Sequence, residues 1–265
     1  MLFQHGTSAL VRLSDCIKLG VHTSLTTAAE WIAINETHAA KLASIREISK
    51  RALKGDVPFD QADQAMRSTE NQIPFDEACH AVALQGQLHS QVLSVVLNIC
   101  FALESYINAF AYHLHVERES ANGTSASVTL EVFDEQSTLS KWEAIGRWTS
   151  ATGFDASRRP MQDMKILFRF RDDLVHDKVV PYSSNRPKKR YGSRLPDPVF
   201  GFLSMPHLVY ACDCYWAMIC EVHKLTGVGR EAFHRHYNLS PWFSSDFERD
   251  ARSAAAKCCQ IEKTG

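Results

Sequence analysis

Between Val92 and Val116 the chain is apolar on almost every side of a helical wheel, and this stretch constrains the fold more than any other. Such a segment either spans a membrane or forms the central helix of a bundle, packed on several faces. Asn98, Glu104, Asn108, His113 and His115 interrupt it. Lipid tolerates these groups poorly, so the sequence predicts a buried helix in a soluble, cytoplasmic protein with no membrane partner. The N-terminus lacks a basic start followed by a long apolar run and does not read as a secretory signal.

Helical spacing recurs along the rest of the chain, and strand-like alternation is scarce, which predicts an all-α fold. One helix is expected from Thr26 to Lys54, carrying Trp31, Ile32, Ile34, Leu42, Ile45 and Ile48. The polar segment Asp56–Pro74 holds two prolines and reads as a linker. A second helical region begins at Phe75 with Asp76 and Glu77 in its first turn, where acids suit the helix dipole, and Gly86 is a candidate break. Asn122-Gly123 signals a turn, and Val128–Phe133 alternates weakly, as a short strand would. Further helices are expected over Leu139–Thr149, Ala156–Val179 and Pro206–Leu225, with Pro160 in the first turn of the second. The resulting division is an N-terminal helical region and linker over 1–74, a helical bundle over 75–226, and a tail over 227–265.

The 29 basic and 30 acidic residues nearly cancel, so any attraction for nucleic acid must come from a local patch. Eight cysteines, several inside apolar helical patterns, read as reduced thiols rather than a disulfide framework. Cys212, Cys214, Cys220 and His223 lie close in sequence. On a helix Cys212 and His223 would stand roughly 16 Å apart along the axis, too far to share an ion, so core cysteines are expected and no metal or other cofactor.

The pattern richest in chemistry is Arg171-Asp172-Asp173-Leu174-Val175-His176. Arg171 falls on the apolar stripe formed by Met164, Leu167, Phe168, Leu174 and Val175. A guanidinium there cannot lose its charge and needs a carboxylate, a phosphate or an opening to water. His176 is five residues on, about 140° around the helix, so the two can flank a cleft. Arginine holds two phosphate oxygens at once, and histidine moves protons near neutral pH. The alternative is a structural ion-pair network with Asp172, Asp173 and Asp177. Glu104 and Asn108 share a face of the apolar helix. A buried Glu104 needs a partner, either Arg171 or a tyrosine or backbone group. Arg186, Lys188, Lys189, Arg190 and Arg194 surround Tyr191 in one loop. They suit phosphate contacts with the tyrosine stacked on a base, or else form a solvated surface.

Three segments together resemble the HEPN superfamily. Arg171 to His176 is similar to its R-x4-6-H motif, Leu103-Glu104 with Ile107-Asn108 to its LExxIN helix, and Lys141-Trp142 to the Lys-Trp segment between them. The order matches, and the resemblance spans roughly residues 90 to 225. It implies a HEPN-like helical bundle with an N-terminal helical extension, acting as a homodimer. Many such domains are metal-independent endoribonucleases, so RNA is the implied substrate, with Arg171 and His176 catalytic and an acid such as Glu104 supporting the arginine. Toxin–antitoxin or phage-defence settings are implied only at family level, with an antitoxin or other regulatory protein as partner. Asp172 departs from the asparagine common after the arginine, and two acids there weaken an anion site. The resemblance therefore leaves a second function open: a non-catalytic module for binding RNA, a nucleotide or another protein.

Overall fold

The computed structural model describes residues 2–70, 73–122, 133–149, 153–176, 191, 195, 202–236, 239 and 245–264. Among them the fold is all-α, as expected. The helices are α1 (Leu2–Thr37), α2 (Ala39–Leu53), α3 (Phe59–Glu70), α4 (Phe75–Asn122), α5 (Thr138–Thr149), α6 (Met161–Val175), α7 (Met205–Thr226), α8 (Arg230–His236) and α9 (Ser245–Thr264). The chain gathers into two compact units. One comprises Met1–Leu19, Ser94–Asp197 and Tyr210–Ser244, and the other Gly20–Leu93, Pro198–Val209 and Ser245–Gly265.

Several elements differ from expectation for identifiable reasons. The helix expected from Thr26 begins far earlier, because Leu10, Ile17, Val21 and Ala28, all buried, continue its apolar stripe at spacings of seven and four. It also ends sooner. His38 leaves the helical path between α1 and α2, and its buried imidazole bonds the Glu77 carboxylate in the first turn of α4. The expected linker contains α3, which packs on α2. Its prolines flank helices instead of interrupting them. The Pro58 carbonyl accepts from the Ala62 N–H, and the Pro74 carbonyl from the Ala78 N–H. Helix α4 passes through Gly86 unbroken, since its flanks are packed and the roughly 1 kcal/mol cost of one glycine is small beside that. Helix α6 starts later than expected. The Asp155 carboxylate accepts from both the amide and the hydroxyl of Ser157, a local turn that competes with helix, and Pro160 becomes the N-cap. The tail holds α8 and α9. The expected turn at Gly123 and most of the expected strand lie outside the described residues, while Phe133 is helical and buried.

The unit containing most of α4 has an aromatic core in which Tyr106, Phe110, Phe133, Trp142, Phe170 and Phe233 are fully buried. The stretch Phe75–Val116 of α4 is long and apolar enough to cross a membrane, and 56% of its most apolar window is buried inside the fold. In the other unit Trp31 and Ile32 of α1, Ala62 of α3, and Leu84, Leu88 and Val92 of α4 are buried. Lys257 of α9 reaches Glu36 of α1 there at 2.9 Å, and His80 of α4 reaches Glu30 at 2.8 Å.

Two glycines separate tight packing from open space. A Cβ on Gly146 would stand 2.7 Å from both the Phe154 backbone nitrogen and the Phe154 ring. Backbone cannot swing aside as a flexible side chain can. Gly146→Ala is therefore expected to cost about 1–3 kcal/mol through overpacking. A Cβ on Gly86 meets nothing within 4 Å, so Gly86→Ala should raise stability by up to about 1 kcal/mol. Urea unfolding of the two variants measures both, and opposite signs are the expected result.

Candidate functional site

Helix α6 carries Arg171 and ends at His176. Its buried face is Met161, Met164, Leu167, Phe168 and Phe170. The apolar stripe stops there, because the last turn projects beyond the core. Leu174 is only half-buried, and Val175 is 58% exposed, against expectation. Arg171 therefore sits at the margin, its side chain 25% exposed. Its Nε and Nη2 both donate to Oδ1 of Asp172, at 3.0 and 2.5 Å, and the guanidinium carbon lies 4.9 Å from the centre of the Phe168 ring. No ion pair joins Arg171 to Glu104 among the described residues, so the expected support from α4 is replaced by the adjacent acid. An acid one residue away needs only a rotamer choice to reach the arginine, whereas Glu104, half-buried on another helix, must be matched in position.

Helix α4 nevertheless lies close to Arg171. The buried thiol of Cys100 is pushed up to about 12 by burial, with Arg171 opposing and Asp172 reinforcing the shift. His176 is exposed and forms the C-cap of α6, its backbone N–H donating to the Asp172 carbonyl. Asp173 accepts a 2.7 Å hydrogen bond from the Tyr191 hydroxyl, and the Tyr191 ring stands edge-on to Phe170 at 4.9 Å. Tyr191 is thus buried as an anchor against α6 and is not presented for stacking on a base, which corrects that expectation. Arg186, Lys188, Lys189, Arg190 and Arg194 lie outside the described residues.

Asn108 and Lys141 come together. The Lys141 Nζ, on a residue only 4% exposed, donates to Asn108 Oδ1 at 3.1 Å and lies 5.6 Å from the centre of the Phe133 ring. Beside it Trp142 lies nearly parallel to Tyr106, 7° between planes and 6.4 Å between centres. Helix α5 is thus fixed to α4 by a polar clasp and a ring stack.

The structure also assembles a group that sequence reasoning missed. The Tyr106 hydroxyl lies 2.6 Å from His223 Nε2 and 3.0 Å from His234 Nε2. His223 Nδ1 lies 2.8 Å from the Val228 carbonyl, which only accepts, so Nδ1 carries the proton and Nε2 is the acceptor. Tyr106 must then donate to His223 and accept from His234 Nε2–H. One directed chain runs His234 to Tyr106 to His223 to Val228. Burial lowers the pKa of His223. Burial, followed by His223 and Arg230, lowers that of His234 to about 4. His223 had drawn attention only as a metal candidate. Cys212 and Cys214 are buried as expected, and no group of three metal-binding side chains occurs among the described residues. The one sequence cue to the group was the run Phe233-His234-Arg235-His236 following an apolar helix.

This chain has a consequence for pH. An unfolded histidine takes up its proton near its ordinary value of 6.5, whereas folded His234 resists until about 4. The unfolded state binds more protons between those values. Stability is therefore fully present above pH 6.5, falls as pH drops toward 4, and loses nothing more from His234 below that. Melting temperatures taken across this window should fall less steeply in His234→Gln than in the wild type.

Compared with protein-family models, with characterised proteins and with solved structures, the chain matches none.

Proposed function

We propose that the chain is a HEPN-like endoribonuclease that cleaves RNA with its own side chains, Arg171 and His176, and without a metal ion. The observation that carries this reading is the convergence of the resembling segments. Asn108 of the first is hydrogen-bonded to Lys141 of the second. Cys100, eight residues before Asn108 on the same helix, feels the charge of Arg171 in the third. His176 is open to a substrate.

In the proposed reaction a neutral imidazole takes the proton of a ribose 2′-hydroxyl. The 2′-oxygen attacks phosphorus, and the bond to the 5′-oxygen breaks. An imidazolium gives that oxygen its proton, so a homodimer supplies both forms. Arg171 stabilises the charge on the non-bridging oxygens. The products are a 2′,3′-cyclic phosphate and a 5′-hydroxyl.

The ion pair with Asp172 favours a second reading, a non-catalytic module in which Arg171 stays neutralised. Asp172→Asn separates the two. In a nuclease it releases Arg171 for phosphate, and cleavage of a single-stranded RNA should rise several-fold. Arg171→Ala should then abolish activity in either background. An Asp172→Asn protein that cleaves no RNA would overturn the first reading, and one that cleaves RNA would overturn the second.

A further inference from the structure

An open surface cleft with a volume of about 530 Å³, remote in sequence from Arg171, is lined by Cys220, His223, Arg230, Glu231 and Arg235 among others. Its volume falls in the roughly 300–1,000 Å³ span of small-molecule sites. Arg230 is half-buried there, and no carboxylate pairs with it among the described residues. Its guanidinium donates from Nη1 to the Cys220 sulfur at 3.3 Å and lies 4.8 Å from the centre of the Trp216 ring. A thiol is a weak acceptor, so most of the donor capacity of this arginine is unspent. Arg235 is exposed on the same wall, also without an ion pair among the described residues. Glu231, four residues before Arg235 and exposed on that wall, is not bonded to it. His223 offers the cleft no free proton, because Tyr106 and Val228 occupy both ring nitrogens.

We propose that this cleft binds a phosphate group, free or carried by a small molecule, with Arg230 and Arg235 as its ligands. Two guanidiniums facing one acid leave a positive cleft. Bidentate charge-assisted bonds to phosphate oxygens are much stronger than the thiol contact they would replace. A lone phosphate fills little of the volume, and Gly229, which lacks a side chain, and the small Ala232 in the lining leave room for an organic portion. This site shares no residue with the proposed ribonuclease site, and its test does not depend on RNA cleavage.

The test titrates the purified protein with inorganic phosphate, adenosine 5′-monophosphate and adenosine. Calorimetry gives the affinity, and iodoacetamide labelling of Cys220, followed by peptide mass spectrometry, locates the site. Both phosphate compounds should bind saturably and slow labelling of Cys220, and adenosine should do neither. Tighter binding of the nucleotide assigns the site to a phosphorylated small molecule, and equal binding assigns it to the free ion. Arg235→Gln, at an exposed position that does not threaten the fold, should weaken binding by at least about tenfold. Arg230→Gln should do the same, and Glu231→Gln should tighten it. Absence of saturable binding at millimolar phosphate and nucleotide would overturn the proposal. So would protection of Cys220 by adenosine, or unchanged affinity in both arginine variants.

Discussion

In the proposed mechanism, replacing His176 with alanine lowers RNA cleavage by about 10²–10⁴-fold, the usual worth of a positioned proton-transfer group. The melting temperature should stay close to that of the wild type. His176 is exposed at the end of α6, and the helix is capped there by its backbone N–H, which alanine retains. Nothing buried is stranded by the change. Arg171→Ala should remove activity as completely, and its cost in stability should also be small. Its ion pair with the half-exposed Asp172 is of the kind worth about 0–1 kcal/mol. Had Arg171 been bonded to a buried Glu104, losing it would have cost several times more. Activity in His176→Ala equal to the wild type would remove the histidine from the mechanism.

Trp142→Ala is expected to cost about 3–5 kcal/mol in urea unfolding, the loss typical of emptying a buried aromatic site. Trp142 is fully buried, stacked on Tyr106 and edge-on to Phe154 at 5.9 Å. Its loss would open a cavity beside the tyrosine that holds His223 and His234. The indole Nε1 has no hydrogen-bond partner among the described residues, so part of the tryptophan's burial is unfavourable. Trp142→Phe should therefore cost clearly less than Trp142→Ala, because it keeps the stack and removes the unsatisfied N–H. Equal losses in the two variants would mean that shape, not ring stacking, holds α5 against α4.

The all-α class was legible because the apolar period of α4 and α7 is long and nearly uninterrupted. Boundaries were legible only where one local rule acted alone. Pro58 and Pro74 were read as linker residues, yet each stands at a helix start, and sequence spacing does not distinguish a flanking proline from an interrupting one. The start of α1 was not legible because apolar Val11, Leu13 and Leu19, none of them buried, lie between Leu10, Ile17 and Val21 and blur the period, and only packing reveals which of them form the buried stripe. At the candidate site, the sequence marked Asn108 and Lys141 in separate segments, and only the fold shows that they meet. The partner of Arg171 was not legible either, because Asp172 and Glu104 compete for it and the adjacent acid needs only a rotamer choice. Tyr191 was misread for a related reason. A tyrosine among five basic residues resembles a stacking platform, but Asp173 and Phe170 offer it a bonded, buried position on α6. The Tyr106–His223–His234 chain joins residues over a hundred positions apart, beyond any local pattern.

The most direct test is end analysis of a labelled single-stranded RNA incubated with the wild-type protein in EDTA. The proposed mechanism requires cleavage that persists in the chelator and leaves 2′,3′-cyclic phosphate and 5′-hydroxyl ends. Cleavage abolished by EDTA, or fragments ending in 3′-hydroxyl and 5′-phosphate, would contradict it.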